Sequence, residues 1–192
     1  EARVDVGGVP VTVRLTRDPD ACATQACSVD GPESRPMRWV VEVRVRAERQ
    51  VAFDLALRVP EWTAGEPAIA VNGAPVPGPR APGSFATVRR SWKDETVRME
   101  LPFALRALPI PDDPGTVAFL EGPIVLAALG EATPVLRGDP RRPDTMLTPA
   151  AEREWRSWRT RYHAVGPDGV TSFVPLHEVV DEPYSVYLPV RG

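Results

Sequence analysis

Apolar and polar residues alternate with a period of two along much of this chain, and that pattern narrows the possible folds most. Val9, Val11, Val13 and Leu15 alternate with Pro10, Thr12, Arg14 and Thr16. Trp39, Val41, Val43, Val45 and Ala47 alternate with Val40, Glu42, Arg44 and Arg46. After Glu48-Arg49-Gln50 the pattern resumes as Val51, Phe53, Leu55, Leu57 and Val59. Successive side chains of a strand point to opposite faces, so each run describes a strand with one buried face. The runs on either side of residues 48–50 are expected to pair as a hairpin, since antiparallel neighbours need only a short connection. Val97, Met99, Leu101 and Phe103 form another such run. Between them, Asn72-Gly73 suits the two positive φ angles of a type I′ turn, which predicts a second hairpin. Gly7-Gly8 reads as a turn. The fold class expected is mainly β, an antiparallel β-sandwich or jelly roll.

Composition agrees. The 192 residues include 23 prolines, about 12%, and 14 glycines, and few long helices survive that density of breakers. Pro60, Pro102, Pro123 and Pro175 are expected at strand ends or breaks, where a missing N–H is tolerated. One short amphipathic helix is expected after Thr148-Pro149, with Thr148 as N-cap and proline in the first turn. Ala151, Trp155, Trp158 and Tyr162 follow at helical spacing. Val117 to Leu129 is apolar enough for a strand buried on both faces. Gly130 to Asp144, rich in proline, glycine and charge, marks a boundary. The expected division is a sandwich over 1–129 and a smaller β-rich segment over 130–192, with strands at Gly169–Pro175 and Tyr184–Val190. The stretch from Asp18 to Pro36 lacks periodicity and reads as an exposed loop.

The formal charge is −3, which offers no basic face for nucleic acid. No segment reaches the ~18 consecutive apolar residues of a membrane span. No signal peptide is visible, and a start at Glu1 rather than methionine suggests a processed protein or a piece of a longer one. These features favour a soluble protein, with the cytoplasm ahead of other compartments.

Residues that could carry chemistry are few. Cys22 and Cys27 leave open a loop disulfide, half a metal site or two unrelated thiols; zinc would need about four ligands, and only His163 and His177 remain, both far away in sequence. Hydrolysis would need two convergent carboxylates, or a nucleophile with a base. Glu121, before Gly-Pro, is expected to be a turn residue bonded to local backbone. Glu178, Asp181 and Glu182 are expected to be solvated charge before the last strand. Trp39, Trp62 and Trp92 sit in or beside strand patterns and are expected in the core rather than on a sugar-binding platform. Trp155 and Trp158, with Tyr162, are equally open to an interface and to a ligand. No catalytic, cofactor-binding or metal-ligating residue is assigned, and ligand-binding residues stay unknown.

One set of phrases is more specific. Arg58-Val-Pro60-Glu-Trp62 is followed by Ile69-Ala-Val-Asn72-Gly73, then Arg89-Arg-Ser-Trp92 and Val97-Arg-Met-Glu-Leu101-Pro102. Next come Phe119-Leu-Glu121-Gly122-Pro123-Ile-Val-Leu126-Ala127, Phe173-Val-Pro175-Leu-His-Glu-Val and Tyr184-Ser-Val-Tyr187. From about Val9 to Leu188, their order and spacing resemble the C-terminal β-rich region of the β-L-arabinofuranosidase-like glycoside hydrolases, family 127. The resemblance implies a helical (α/α)6 catalytic barrel before residue 1, holding a cysteine nucleophile near zinc. Cys22 and Cys27, five positions apart within the β region, do not match that family's adjacent cysteine pair, so no catalytic residue carries over. The expectation is a non-catalytic module that scaffolds the barrel of the same bacterial-type chain, needing no cofactor itself. The alternative is a carbohydrate-binding module that meets plant-type sugars through exposed aromatics.

Overall fold

In a computed structural model of the chain, the described residues are 1–18, 37–150, 153–154, 157–166 and 169–192. The expected loop with Cys22 and Cys27 lies outside them. The chain separates into two compact units, whose described parts are residues 1–18 with Met37–Phe103, and Ala104–Gly192. The division thus falls at Phe103/Ala104, where the sequence reading placed it after Leu129. Strands within 105–129 hydrogen-bond to strands of the final segment, so they share its core.

The first unit is one six-stranded antiparallel sheet. Its strands are β1 (Ala2–Val6), β2 (Val9–Asp18), β3 (Arg38–Arg58), β4 (Ala68–Val71), β5 (Ala74–Pro75) and β6 (Phe85–Pro102). They lie in the order β1-β2-β3-β6-β4-β5. Gly7 and Gly8 link β1 to β2 with φ of 58° and 75°, and Asn72 and Gly73 link β4 to β5 with 49° and 81°. Both pairs satisfy the type I′ requirement for two positive φ angles. Asn72 does more than turn: its N–H donates to Thr96 O and its Oδ1 accepts from Thr96 N–H, each at 2.9 Å.

The expected hairpin around residues 48–50 does not form. Residues 38–58 are one strand of 21 residues, paired along its length with β6. Glu48-Arg49-Gln50 contains no residue suited to positive φ, so it is accommodated as an irregularity between Arg46 and Val51. Burial on β6 changes phase there, from Ala86, Val88 and Trp92 to Val97, Met99 and Leu101. All six belong to one hydrophobic cluster with Val43, Val45, Leu57, Ile69 and Val71. The outward face carries charge in register: Glu42 lies opposite Arg98, Arg46 opposite Asp94 and Asp54 opposite Arg89. Each pair is an ion pair, at 3.7, 3.6 and 2.9 Å.

The second unit contains β7 (Leu105–Ile110), β8 (Asp113–Glu121), β9 (Ile124–Leu129), β10 (Leu136–Arg137), β11 (Thr148–Pro149) and β12 (Arg153–Glu154). It continues with β13 (Ser157–Trp158), β14 (Tyr162–Gly166), β15 (Gly169–Pro175), β16 (Tyr184–Ser185) and β17 (Leu188–Arg191). Its main sheet runs β10-β17-β8-β9-β15-β14-β11, with β7 on β8 and β16 on β9. The segment 117–129 is a hairpin rather than one strand. Gly122, at φ 55°, and Pro123 form its two-residue turn, and glycine before proline suits a type II′ geometry. Val117, Ala118 and Phe119 are buried in succession, as are Leu126, Ala127 and Ala128, so both faces are covered there as expected.

Among the described residues, the segment after Thr148-Pro149 expected to be a helix pairs as short strands instead. Thr148 and Pro149 pair with His163 and Tyr162, and beyond them Arg153 and Glu154 pair with Trp158 and Ser157. An isolated helix of this length is marginal in water, whereas pairing with β14 joins the segment to the sheet that buries Tyr162. Trp155 lies outside the described residues, and so does the Trp158 side chain.

Hydrogen bonding from Arg44, followed by the nearby Arg44 and Arg46 charges, holds the Asp94 carboxyl below the usual aspartate range. A lowered folded-state value adds stability above the unfolded pKa, and that stability is lost as pH falls through the folded one. In an NMR titration, Asp94 should titrate below an unfolded aspartate, and Arg44→Met should move it back up. An unchanged midpoint in Arg44→Met would contradict this origin.

Candidate functional site

The side chains singled out from the sequence fall in three places. In the first unit, Trp92 is wholly buried; its Nε1–H donates to Phe53 O at 2.9 Å and its ring stacks on Phe53 at 5.5 Å. Trp39 and Trp62 are half-buried and meet edge to face, with centroids 5.2 Å apart and planes at 64°. The Arg17 guanidinium lies 4.1 Å from the Trp39 ring centre. A sugar platform needs an open ring face, and these rings pack on the hydrophobic cluster instead. Trp92 is a core residue, as expected, while Trp39 and Trp62 are partly buried and pack against that core.

In the second unit, Glu121 departs from its expected role. It ends β8 and is only 2% exposed. Its carboxylate reaches side chains distant in sequence: Oε1 accepts from Tyr162 O–H at 2.7 Å and Oε2 from Thr160 O–H at 2.5 Å. These partners lie 41 and 39 residues further along, so no local pattern could reveal them. A carboxylate so enclosed ties β8 to the start of β14. Glycoside cleavage by a carboxyl pair needs two such groups about 5–9.5 Å apart that reach substrate.

The third place is a recess of about 290 Å³, lined by residues that include Leu129, Arg161, His163, Ser172, Val174 and Glu178. Strand alternation builds its floor. Tyr162 and Ala164 on β14, and Phe173 on β15, turn into the core, so His163 and Ser172 take the opposite face. These two are register partners, with Ser172 Oγ 3.5 Å from His163 Nδ1. Arg161, two positions before His163, donates through Nη2 to Glu178 Oε2 at 2.5 Å. Arg159 Nη1 lies 4.0 Å from the same oxygen. Glu178 ends a single 3-10 turn, Leu176–Glu178, in which His177 is exposed. Glu182 also lines the recess. Backbone N–H groups of Glu182, Val180 and Asp181 hold its carboxyl below the usual glutamate range, two of them at 3.0 and 3.2 Å.

Glu178, Asp181 and Glu182 are all exposed, in line with the solvated charge expected there; Glu178 and Glu182 also border the recess with His163, and Asp181 does not. Arg161, Ser172 and Thr160 were not singled out from the sequence; only the inward alternation of Tyr162 and Ala164 hints at the first two. Among the described residues, no three His, Cys, Asp or Glu side chains come together in a way that could hold a metal ion. None of their helices is long and apolar enough to cross a membrane.

With the geometry in place, comparisons bear on the family. The model for the β-L-arabinofuranosidase GH127 middle domain matches residues 20–103, which covers most of the first unit. No curated protein matches the chain. A GH127 β-L-arabinofuranosidase from Geobacillus stearothermophilus T6 superposes with a TM-score of 0.64 at 16% identity, covering 99% of this chain and 32% of its own. A solved glycoside hydrolase gives 0.62 at 16% identity, covering 97% and 35%. A GH127 β-arabinofuranosidase gives 0.58 at 16%, covering 99% and 33%. This chain spans about a third of the length of these solved structures and shares the fold of that third. The matched model is that of a middle domain, where the sequence resemblance pointed to a C-terminal region.

Leaving a buried acceptor without its donor costs about 1–3 kcal/mol. Tyr162→Phe should destabilise the second unit by that amount in urea unfolding followed at its own amide signals. A loss below about 0.5 kcal/mol, the level of an ordinary surface change, would show that the Tyr162–Glu121 bond ties nothing down.

Proposed function

We propose that this chain is a non-catalytic β module of a glycoside hydrolase resembling the β-L-arabinofuranosidases, with the first unit as its middle domain. The observation that carries this reading is the middle-domain match over residues 20–103. Structural neighbours support it: they share nearly all of this chain's fold within about a third of their own length. A fold shared at 16% identity carries no chemistry with it, so activity has to be argued from the side chains.

Those side chains favour support over catalysis. Glu121, the most enclosed carboxylate described, is spent on Tyr162 and Thr160. Trp92 is spent on Phe53, and Trp39 meets Trp62 and Arg17. In this reading the nucleophile, the zinc and the sugar-cleaving pocket belong to a helical barrel that precedes residue 1 in the parent protein. The barrel is then the principal partner, and this module presents it with rigid sheet.

The 192-residue chain alone should release no more nitrophenol from an aryl β-L-arabinofuranoside than buffer does. Turnover by the chain alone, lost in Glu121→Gln, would overturn the non-catalytic reading and place a general acid or base on β8.

A further inference from the structure

The scaffold reading leaves the recess of the second unit without a role. We propose that it binds one neutral sugar ring, held between the Arg161–Glu178 pair and the His163–Ser172 pair. The inference stands on these side chains and does not rest on the parent protein's activity.

Size sets the first limit. A cavity of about 290 Å³ lies at the small end of ligand pockets, which run about 300–1,000 Å³. It accommodates one ring. Charge sets the second. Arg161 and Glu178 are already joined at 2.5 Å, so an anion has to compete with Glu178 and a cation with Arg161. A neutral hydroxyl adds no net charge beside the pair and can both donate and accept.

The hydrogen-bonding groups supply both halves of that exchange. The guanidinium donates through a planar fork, and the carboxylate accepts through two oxygens. Ser172 Oγ and His163 Nδ1 lie side by side on the floor; a hydroxyl or an imidazole can serve as donor or acceptor. Leu129, Val174 and Val179 add apolar surface among them, against which the C–H face of a ring can lie. Glu182, fixed by backbone N–H groups, has little freedom left to lose on binding.

The test is an NMR titration of the 15N-labelled 192-residue chain with L-arabinose as the probe, and with acetate and choline as charged controls. Saturable shifts should appear at the amides of Leu129, Ser172, Val174 and Val179, with a dissociation constant of about 1–10 mM. Glu178→Gln should weaken binding about tenfold, as expected for losing a charged hydrogen-bond partner. Ser172→Val, a substitution suited to a strand, should weaken it while keeping the dispersed spectrum. Three results would overturn the proposal: no saturable shift, shifts that survive Ser172→Val, or tighter binding of acetate or choline at the same amides. None of them touches the scaffold reading, which the hydrolysis assay decides separately.

Discussion

The first unit depends on one pairing, that of β3 with β6. Two strands of 21 and 18 residues hydrogen-bond along nearly their whole length, and every other strand of the unit attaches to one of them directly or through a neighbour. Such a ladder needs a reason to hold its register across the irregularity at residues 47–50. Trp92 provides it: the indole is the first β6 residue paired beyond that irregularity, opposite Val51. Its N–H is anchored on Phe53 O and its ring lies in the core. Truncating a buried aromatic costs about 3–5 kcal/mol, a large part of the about 5–15 kcal/mol by which domains are stable. The outer ion pairs are exposed, and solvent screening leaves such pairs little to contribute. They define which face is wet more than they stabilise it.

The second unit solves a different problem. Its strands are short, several of only two residues, and its sheet draws on segments from 105 to 191. Side-chain cross-links do what long ladders do in the first unit. Glu121 reaches across to Tyr162 and Thr160, and Arg161 reaches out to Glu178. Neighbouring residues of one segment, 160 to 163, thus serve both faces: Tyr162 meets the buried carboxylate, while Arg161 and His163 line the recess. The same alternation that closes the core also builds the one surface of this unit argued above to meet a ligand.

What the sequence made legible follows from the range of each interaction. Asn72-Gly73 and Gly7-Gly8 were readable because a positive φ is a property of the residues in the turn. Strand identity was readable for the same reason, since alternation is local. The strand through residues 38–58 was misjudged because three polar residues look alike in a turn and in a bulge; only pairing with β6 separates the two. The helix after Thr148 failed because helical spacing at Trp155, Trp158 and Tyr162 says nothing of the strand waiting at 162–166. Glu121 was misjudged for the largest reason, its partners being some 40 residues away. The domain boundary shifted from Leu129 to Phe103 because proline and glycine density marks loops, whereas a boundary is set by which strands share a core.

In the reading we propose, this chain supports a catalytic barrel rather than catalysing. Co-expression with the barrel that this reading places before residue 1, followed by size-exclusion chromatography with light scattering, tests it most directly. One-to-one association of the two pieces is predicted, with arabinofuranosidase activity confined to the fractions that contain the barrel. Separate elution of the two pieces, with a barrel fully active and stable on its own, would contradict it.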